Sequence, residues 1–387
     1  MTDAYTPPAW LPFIAGGPSA GLDDMPVADW EQALAMAHHG GVLEALAVRL
    51  RTTGATESLP SELQPQLEDA ERRAAVSVLS SQRIFVLIAR ALASGDIPVV
   101  PYKGIDLAHT VYPDVRMRPM SDVDVWVRAE QLSAALEALA KAGLVEKASP
   151  PTSTMAQRPW FGAAQLGFAH GQAAVAEVQL GPLSGEWLHR AASIDRAGMW
   201  DRLQGGELLG HAVRRLARED HALQVALHAA ITHQFSSSPL RQLLDLVLLA
   251  RAGLDADALV ARAASWRVTR AVALTFQLAT SCFGDTATAH ISERFESATS
   301  TRAGRRAWGM PDVKGILHGR RLSRSQVARF LFQLRVTDSW ADTLRLVSWS
   351  VVPDRAWLEA RYGSGTLATR VRHLLWLARG GRRGAQR

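Results

Sequence analysis

Two aspartates in the segment DVDV are spaced for divalent-cation chemistry. Asp122 and Asp124 alternate with valines, and this alternation predicts a strand on which both carboxylates lie on one face. Neighbouring carboxylates repel each other unless a cation lies beside them, and oxygen ligands of this kind suit Mg²⁺. The pair is therefore a candidate metal site.

A second candidate lies upstream, where the apolar run 97–102 ends at Lys103 and Gly104. The run predicts a short strand and residues 105–111 predict a helix, so the glycine falls at a strand-to-helix turn. Backbone N–H groups at such a turn can approach a phosphate, and the lysine adds a positive charge. A phosphate cradle followed by paired carboxylates is the layout of metal-assisted phosphoryl or nucleotidyl transfer.

Over this region the sequence resembles the uncharacterised bacterial nucleotidyltransferases of the DNA polymerase β-like superfamily. The matching motifs occur in order and begin at Lys103 (KGIDLA), Tyr112 (YPD) and Arg118 (RPMSDVDV). The resemblance implies an enzyme that uses Mg²⁺, with Mn²⁺ as an alternative, and a nucleoside triphosphate (NTP) as co-substrate.

The resemblance also assigns expected roles. Asp122 and Asp124 match the metal-binding catalytic carboxylates, and Lys103 with Gly104 matches the phosphate-side turn. The other nucleotide-binding candidates of the motif are Arg118 and Ser121.

The superfamily uses a third carboxylate on a later strand, and Glu177 is the candidate for it. It would act as a metal ligand or as the base toward the acceptor hydroxyl. Relatives tend to carry histidine two positions after this acid, whereas this chain has Gln179. The departure leaves the third ligand, and activity itself, open.

A later segment resembles a helical His…His…Arg…Asp pattern of the same family, at His228, His233, Arg241 and Asp245. On an α-helix the two histidines would be offset by about 140°, so we expect them to be poor partners for one metal. Arg241 is a nucleotide-binding candidate. The alternative is an ordinary salt bridge with Asp245, four residues later.

The surrounding pattern predicts an α+β fold. We expect an N-terminal helical region (1–90), a core with a small mixed sheet (91–205), and a C-terminal helical domain with a basic tail (206–387). The resemblance implies that the core is a polymerase-β-like nucleotidyltransferase domain. The stretch 63–94 predicts a long helix broken into two, with Val76 and Leu79 buried. From Leu208 onward the pattern predicts almost pure helix.

Composition restricts the class of protein. The chain has 387 residues and a net charge of +6, and the last eighteen residues carry six arginines and no acid, so the rest is balanced. A single cysteine, Cys282, excludes a disulfide framework and a multi-cysteine metal site. No uninterrupted apolar run reaches the roughly 18 residues of a membrane span. We expect a cytoplasmic protein without a membrane partner.

The expected reaction moves a nucleoside monophosphate from an NTP to an acceptor oxygen and releases pyrophosphate. The resemblance implies a peptide or small-metabolite acceptor, because family members are sometimes associated with peptide tailoring. One alternative is a toxin-like enzyme acting on tRNA or protein, and only the basic tail supports it. Another is a catalytically degenerate nucleotide-binding subunit, which the departure at Gln179 motivates.

Overall fold

Helices surround a small mixed sheet in the computed structural model, which describes residues 6–146, 163–168, 175–300, 315 and 326–378. This arrangement confirms the predicted α+β class. The helices are α1 Trp10–Ile14, α2 Val27–Gly40, α3 Leu43–Thr53, α4 Gln64–Ser94, α5 Gly104–Thr110, α6 Leu132–Lys141, α7 Glu186–Ala191, α8 Arg196–Asp201, α9 Arg218–Leu227, α10 Pro239–Arg251, α11 Ala256–Ser265, α12 Thr269–Phe283, α13 Thr286–Ser300, α14 Gln326–Arg335, α15 Trp340–Val351, α16 Arg355–Tyr362 and α17 Leu367–Ala378.

The sheet has the strand order β1-β2-β5-β4-β3, and a separate hairpin pairs β6 with β7. Strands β2 and β5 run parallel, and the other pairs of the sheet are antiparallel. The strands are β1 Pro101–Tyr102, β2 Asp122–Trp126, β3 Leu144–Glu146, β4 Ala163–Phe168, β5 Val175–Gln179, β6 Gln204–Leu208 and β7 His211–Arg215.

Register in the sheet brings three functional candidates to one place. Asp124 on β2 lies opposite Tyr102 on β1 and opposite Glu177 on β5. Lys103 follows Tyr102 directly and precedes the first residue of α5. The strand positions predicted for the candidates are thereby confirmed, and the pairing of β2 with β5 places the later acid beside the earlier pair.

Helix α4 is continuous over 31 residues, so the predicted break is wrong. No proline or glycine interrupts it after Pro65, and its alanines and leucines favour helix. Its buried side includes Ile84 and Ile88, which share a hydrophobic cluster with the core of the sheet. Val76 and Leu79 lie on the opposite side and are 65% and 67% exposed, so their predicted burial is also wrong.

Within the described ranges, one helical segment, Ser61–Ser94, is long and apolar enough to cross a membrane by length and composition. We expected no membrane span because no uninterrupted apolar run is long enough, whereas this segment meets the criterion by its mean hydropathy. The segment is interrupted by polar residues, and 44% of its most apolar window is buried inside the protein. The buried core helices of other proteins meet the same criterion.

The hairpin β6–β7 corrects the prediction of pure helix after Leu208. Leu209 and Gly210 form the connection with φ angles of 51° and 76°. Two successive positive φ values are the geometry of the tight turns that suit the twist of paired strands. The hairpin spans the boundary expected at 205/206, and the backbone N–H of Arg214 donates to the carbonyl of Val99 beside the sheet.

Candidate active site

The centre of the candidate site is a buried ion pair between Lys103 and Asp124. Lys103 Nζ lies 2.7 Å from Asp124 Oδ1, and Asp124 is 3% exposed. Burial raises the pKa of Asp124 to about 7, against the opposing effect of Lys103 and with a smaller contribution from the charges of Asp122 and Glu177. The buried carboxylate is thus stabilised by a neighbouring positive charge, which Lys103 provides.

Gln179 connects the two strands that carry the acids. Its Nε2 donates to Asp124 Oδ1 at 3.1 Å and to Glu177 Oε2 at 2.9 Å. The side chain is buried and lies where a hydrogen-bond donor satisfies two carboxylates at once. The residue that departs from the family pattern therefore contacts both acids directly.

The Lys103 turn is held by His221, a residue that the sequence analysis missed. Lys103 has a φ of 55°, which is uncommon for a residue other than glycine. Its backbone N–H donates to His221 Nε2 at 3.1 Å. Because Nε2 accepts this bond, the proton of the neutral ring is on Nδ1. No local pattern in the sequence links residues 118 positions apart, so the contact required the structure.

A buried carboxylate completes this support. Asp106 Oδ2 lies 3.6 Å from His221 Nδ1, and Asp106 Oδ1 lies 2.8 Å from Arg215 Nε on β7. Burial raises the pKa of Asp106 to about 6, although Arg215 opposes the shift. Burial, together with the charge of Arg118, lowers the pKa of His221 to about 3, so this ring stays neutral near pH 7. The hairpin and α9 thereby position the lysine.

Gly104 allows close packing at the start of α5. A Cβ at this position would lie 3.2 Å from Met120 Cβ and 3.5 Å from Arg118 Nη1. The glycine therefore lets the segment 118–120 pack closely against the helix. Ser121, next along this segment, is exposed, and its hydroxyl is 3.3 Å from Asp122 Oδ1.

The structure pairs Arg118 with Asp245 in a buried, bidentate ion pair. Arg118 Nε and Nη2 donate to the two oxygens of Asp245 at 2.8 and 3.0 Å. Tyr112 donates its hydroxyl to the same carboxylate at 2.6 Å. These contacts join the loop before β2 to α10 and hold it in place.

Arg241 makes a different contact from the one weighed in the sequence analysis. Its Nε donates to the carbonyl of Gly41 at 2.9 Å, while Asp245 is used by Arg118. The alternative of a salt bridge between Arg241 and Asp245 is therefore wrong. Gly41, with a φ of 74°, allows the approach, because a Cβ there would lie 2.8 Å from Arg241 Nη2.

His228 and His233 are brought together by a π-helical turn over His228–Thr232. Their Nε2 atoms are 2.9 Å apart, and the ring centroids are separated by 4.4 Å in a T-shaped arrangement. Our expectation of rings offset around an α-helix is wrong, since hydrogen bonds between residues five apart bring such positions together. Burial, followed by the charge of Lys103, lowers both pKa values, so the pair lies near the site.

The fit of a metal ion rests on the donor chemistry of Asp122, Asp124 and Glu177. Carboxylates suit Mg²⁺, and the charges of Asp122 and Glu177 both act on Asp124. In the part of the chain that the structure describes, no three His, Cys, Asp or Glu side chains form a ready metal-binding group. Lys103 Nζ contacts one oxygen of the Asp124 carboxylate. The residues thus fit the ion in type.

A family model described as uncharacterised nucleotidyltransferase matches residues 26–284. The match covers more than half of the chain, from α2 through α12, and contains the whole candidate site. No curated protein and no solved structure matches this chain.

Proposed function

Because the chain belongs to the uncharacterised nucleotidyltransferase family, which implies an enzyme, we propose a specific reaction for it. In this proposal the protein moves a nucleoside monophosphate from an NTP to an acceptor oxygen on a peptide or small metabolite. The reaction depends on Mg²⁺ and releases pyrophosphate. The main support is the register that gathers Asp124 and Glu177 beside Lys103.

Asp122, Asp124 and Glu177 would hold the metal ion. When bound, such an ion neutralises charge on the triphosphate and on the group that leaves. Lys103 would then exchange its contact with Asp124 for the phosphates, at the turn that precedes α5. The flexible stem of this lysine, whose ammonium group lies 2.7 Å from Asp124 Oδ1, suits such an exchange.

In its alternative role, as the base and not as a metal ligand, Glu177 would take the proton from the acceptor hydroxyl. A bond then forms between the acceptor oxygen and the α-phosphorus, and the bond from that phosphorus to the pyrophosphate oxygen breaks. Gln179 would orient Glu177 through the hydrogen bond to Oε2. Arg118 would act by fixing the loop before β2, because Asp245 occupies its guanidinium.

A degenerate, nucleotide-binding subunit is the second candidate. It is favoured by one observation, namely that Lys103 and Gln179 both donate to Asp124 Oδ1. Such a protein would bind an NTP without transferring it.

Thermal unfolding with each NTP, with and without Mg²⁺, tests the site without knowledge of the acceptor. A ligand at about 100 times its dissociation constant adds about 2.7 kcal/mol to stability. We expect a Mg²⁺-dependent rise in Tm with one NTP. The variant D122N/D124N should lose it.

The chain offers a matched control, because Asp255 and Asp257 form a second Asp-x-Asp pair. Asp255 caps α11 by accepting from the N–H of Ala258, a role that asparagine also fills. D255N/D257N should keep the wild-type response. The absence of a shift with every NTP would reject the proposed site. A shift without pyrophosphate release across peptide and metabolite acceptors would favour the degenerate subunit.

A further inference from the structure

Helix α17 turns its apolar side toward solvent. Leu367, Val371, Leu374 and Leu375 are 78%, 50%, 44% and 51% exposed. Their spacing of four, seven and eight residues places them on one stripe about 100° wide. Thr369, on the opposite side, is buried. The polarity of this helix is therefore the reverse of that in a helix that packs on a core.

Contacts of His373 hold α17 in this orientation. The ring is buried, with Nε2 2.8 Å from the carbonyl of Ser350 and Nδ1 3.1 Å from the Tyr362 hydroxyl. Its centroid lies 5.1 Å from that of Trp357 on α16. A rotation of α17 that buried the leucine stripe would break these contacts. The contacts of His373 therefore fix the side of α17 that faces solvent.

The sequence that contains and follows α17 carries charge of a single sign. From residue 360 to the end of the sequence there is no Asp or Glu, whereas arginine occurs at Arg361, Arg370, Arg372, Arg379, Arg382, Arg383 and Arg387. An apolar stripe next to arginines is the pattern of helices that lie in the interface of an anionic membrane. Each basic residue near such a surface adds to the attraction.

We propose that α17 docks the protein on an anionic lipid surface, with the leucine stripe among the upper acyl chains and Arg370 and Arg372 at the headgroups. A second copy of this chain would bring like charges together, which disfavours that occupant. Nucleic acid would use the arginines and leave the leucines in water. This proposal goes beyond the proposed reaction, and it differs from our expectation of no membrane partner.

Sedimentation of the full chain with lipid vesicles tests the proposal. The probes are vesicles of phosphatidylcholine alone and vesicles rich in phosphatidylglycerol, at low and at physiological ionic strength. We expect binding to the anionic vesicles to be at least about tenfold tighter than to the neutral ones, and to weaken with salt. Equal binding to both vesicle types, or none to either, would overturn the proposal.

Variants separate the stripe from the tail charge. L374S/L375S should weaken vesicle binding by about tenfold or more, because two partly exposed leucines no longer enter the lipid. R382Q/R383Q should weaken binding to anionic vesicles alone. V76S/L79S removes apolar side chains of similar exposure from α4 and should bind as wild type does.

Each alternative occupant has its own outcome. If L374S/L375S keeps full vesicle binding while its Tm is unchanged, the stripe has no part in docking and the proposal is wrong. A concentration-dependent dimer that L374S/L375S abolishes, without vesicle binding, would identify a second copy as the occupant. Salt-sensitive binding to single-stranded or duplex nucleic acid, without vesicle binding, would identify that class instead.

Discussion

Lys103 Nζ lies 2.7 Å from Asp124 Oδ1, so the lysine at the end of β1 and the second aspartate of β2 form one buried ion pair. From the sequence we predicted separate roles for the two residues, namely phosphate binding for Lys103 and metal binding for Asp124. Burying a charged group without a partner costs free energy, and here the Lys103 ammonium and the Asp124 carboxylate are each other's partner. In the proposed reaction, substrate binding exchanges this contact for new ones.

Replacing Lys103 with methionine should raise the pKa of Asp124 above its value of about 7, because the lysine lowers it. The carboxyl would then be protonated at neutral pH and bind a divalent cation poorly. Carbon-13 NMR titration of the aspartate carboxyls measures the shift. K141M, at an exposed lysine on α6, is the matched control. An Asp124 pKa that stays the same in K103M would show that the ion pair is not the main compensation.

Removing Asp245 should destabilise the fold strongly, since Arg118 would remain buried without its partner. We expect D245A to lower the free energy of unfolding by about 3–5 kcal/mol. In the double variant R118M/D245L, most of that loss should be recovered, because both charges are gone. Urea unfolding measures both values. The control E137A breaks the exposed ion pair with Lys141 and should change the free energy of unfolding little. If D245A lowers this free energy as little as E137A does, the role given to the Arg118–Asp245 pair is wrong.

His221 should make stability depend on pH on the acid side. Its pKa is about 3 in the folded protein and about 6.5 when unfolded. The unfolded chain therefore binds the extra proton between these values, and stability falls as pH drops through this window, by up to about 1.4 kcal/mol per unit.

The variant H221Q should remove this part of the pH slope in urea unfolding measured at several pH values. The contribution of Asp106 to stability has the opposite pH dependence. Its pKa is raised to about 6 in the folded protein, which binds the proton more tightly than the unfolded chain, so this contribution falls as pH rises toward 6. The comparison of slopes between wild type and variant isolates His221. H290Q, at an exposed site on α13, is the matched control. Identical slopes in H221Q and wild type would show that the ring is not held neutral.

The histidines of the π-helical turn should carry their protons differently. Their Nε2 atoms are 2.9 Å apart, and both pKa values are lowered, so both rings are neutral near pH 7. A hydrogen bond between two neutral rings needs one donor and one acceptor. Nitrogen-15 NMR should show Nε2 protonated in one of His228 and His233 and unprotonated in the other. The same protonation state at both Nε2 atoms would exclude the bond.

Local patterns in the sequence were sufficient for the parts of the site that depend on neighbours along the chain. Alternation predicted β2 with Asp122 and Asp124, and turn residues predicted the Lys103–Gly104 junction with α5. These succeed because strand period and turn chemistry act over a few residues. The family motif added Glu177, and pairing of β2 with β5 then placed it opposite Asp124.

Only the tertiary structure decided which partner each charged group has. Arg118 binds Asp245 across 127 positions, and His221 accepts from Lys103 across 118. The shape of the turn at His228 likewise depends on packing, because a π-helical turn needs support from its surroundings. Periodicity in the sequence indicates which residues are buried. It does not indicate which opposite charge or hydrogen-bond partner each buried charged group contacts. A buried charged group needs a partner because its desolvation is costly, and that partner can come from any part of the chain that the fold brings close.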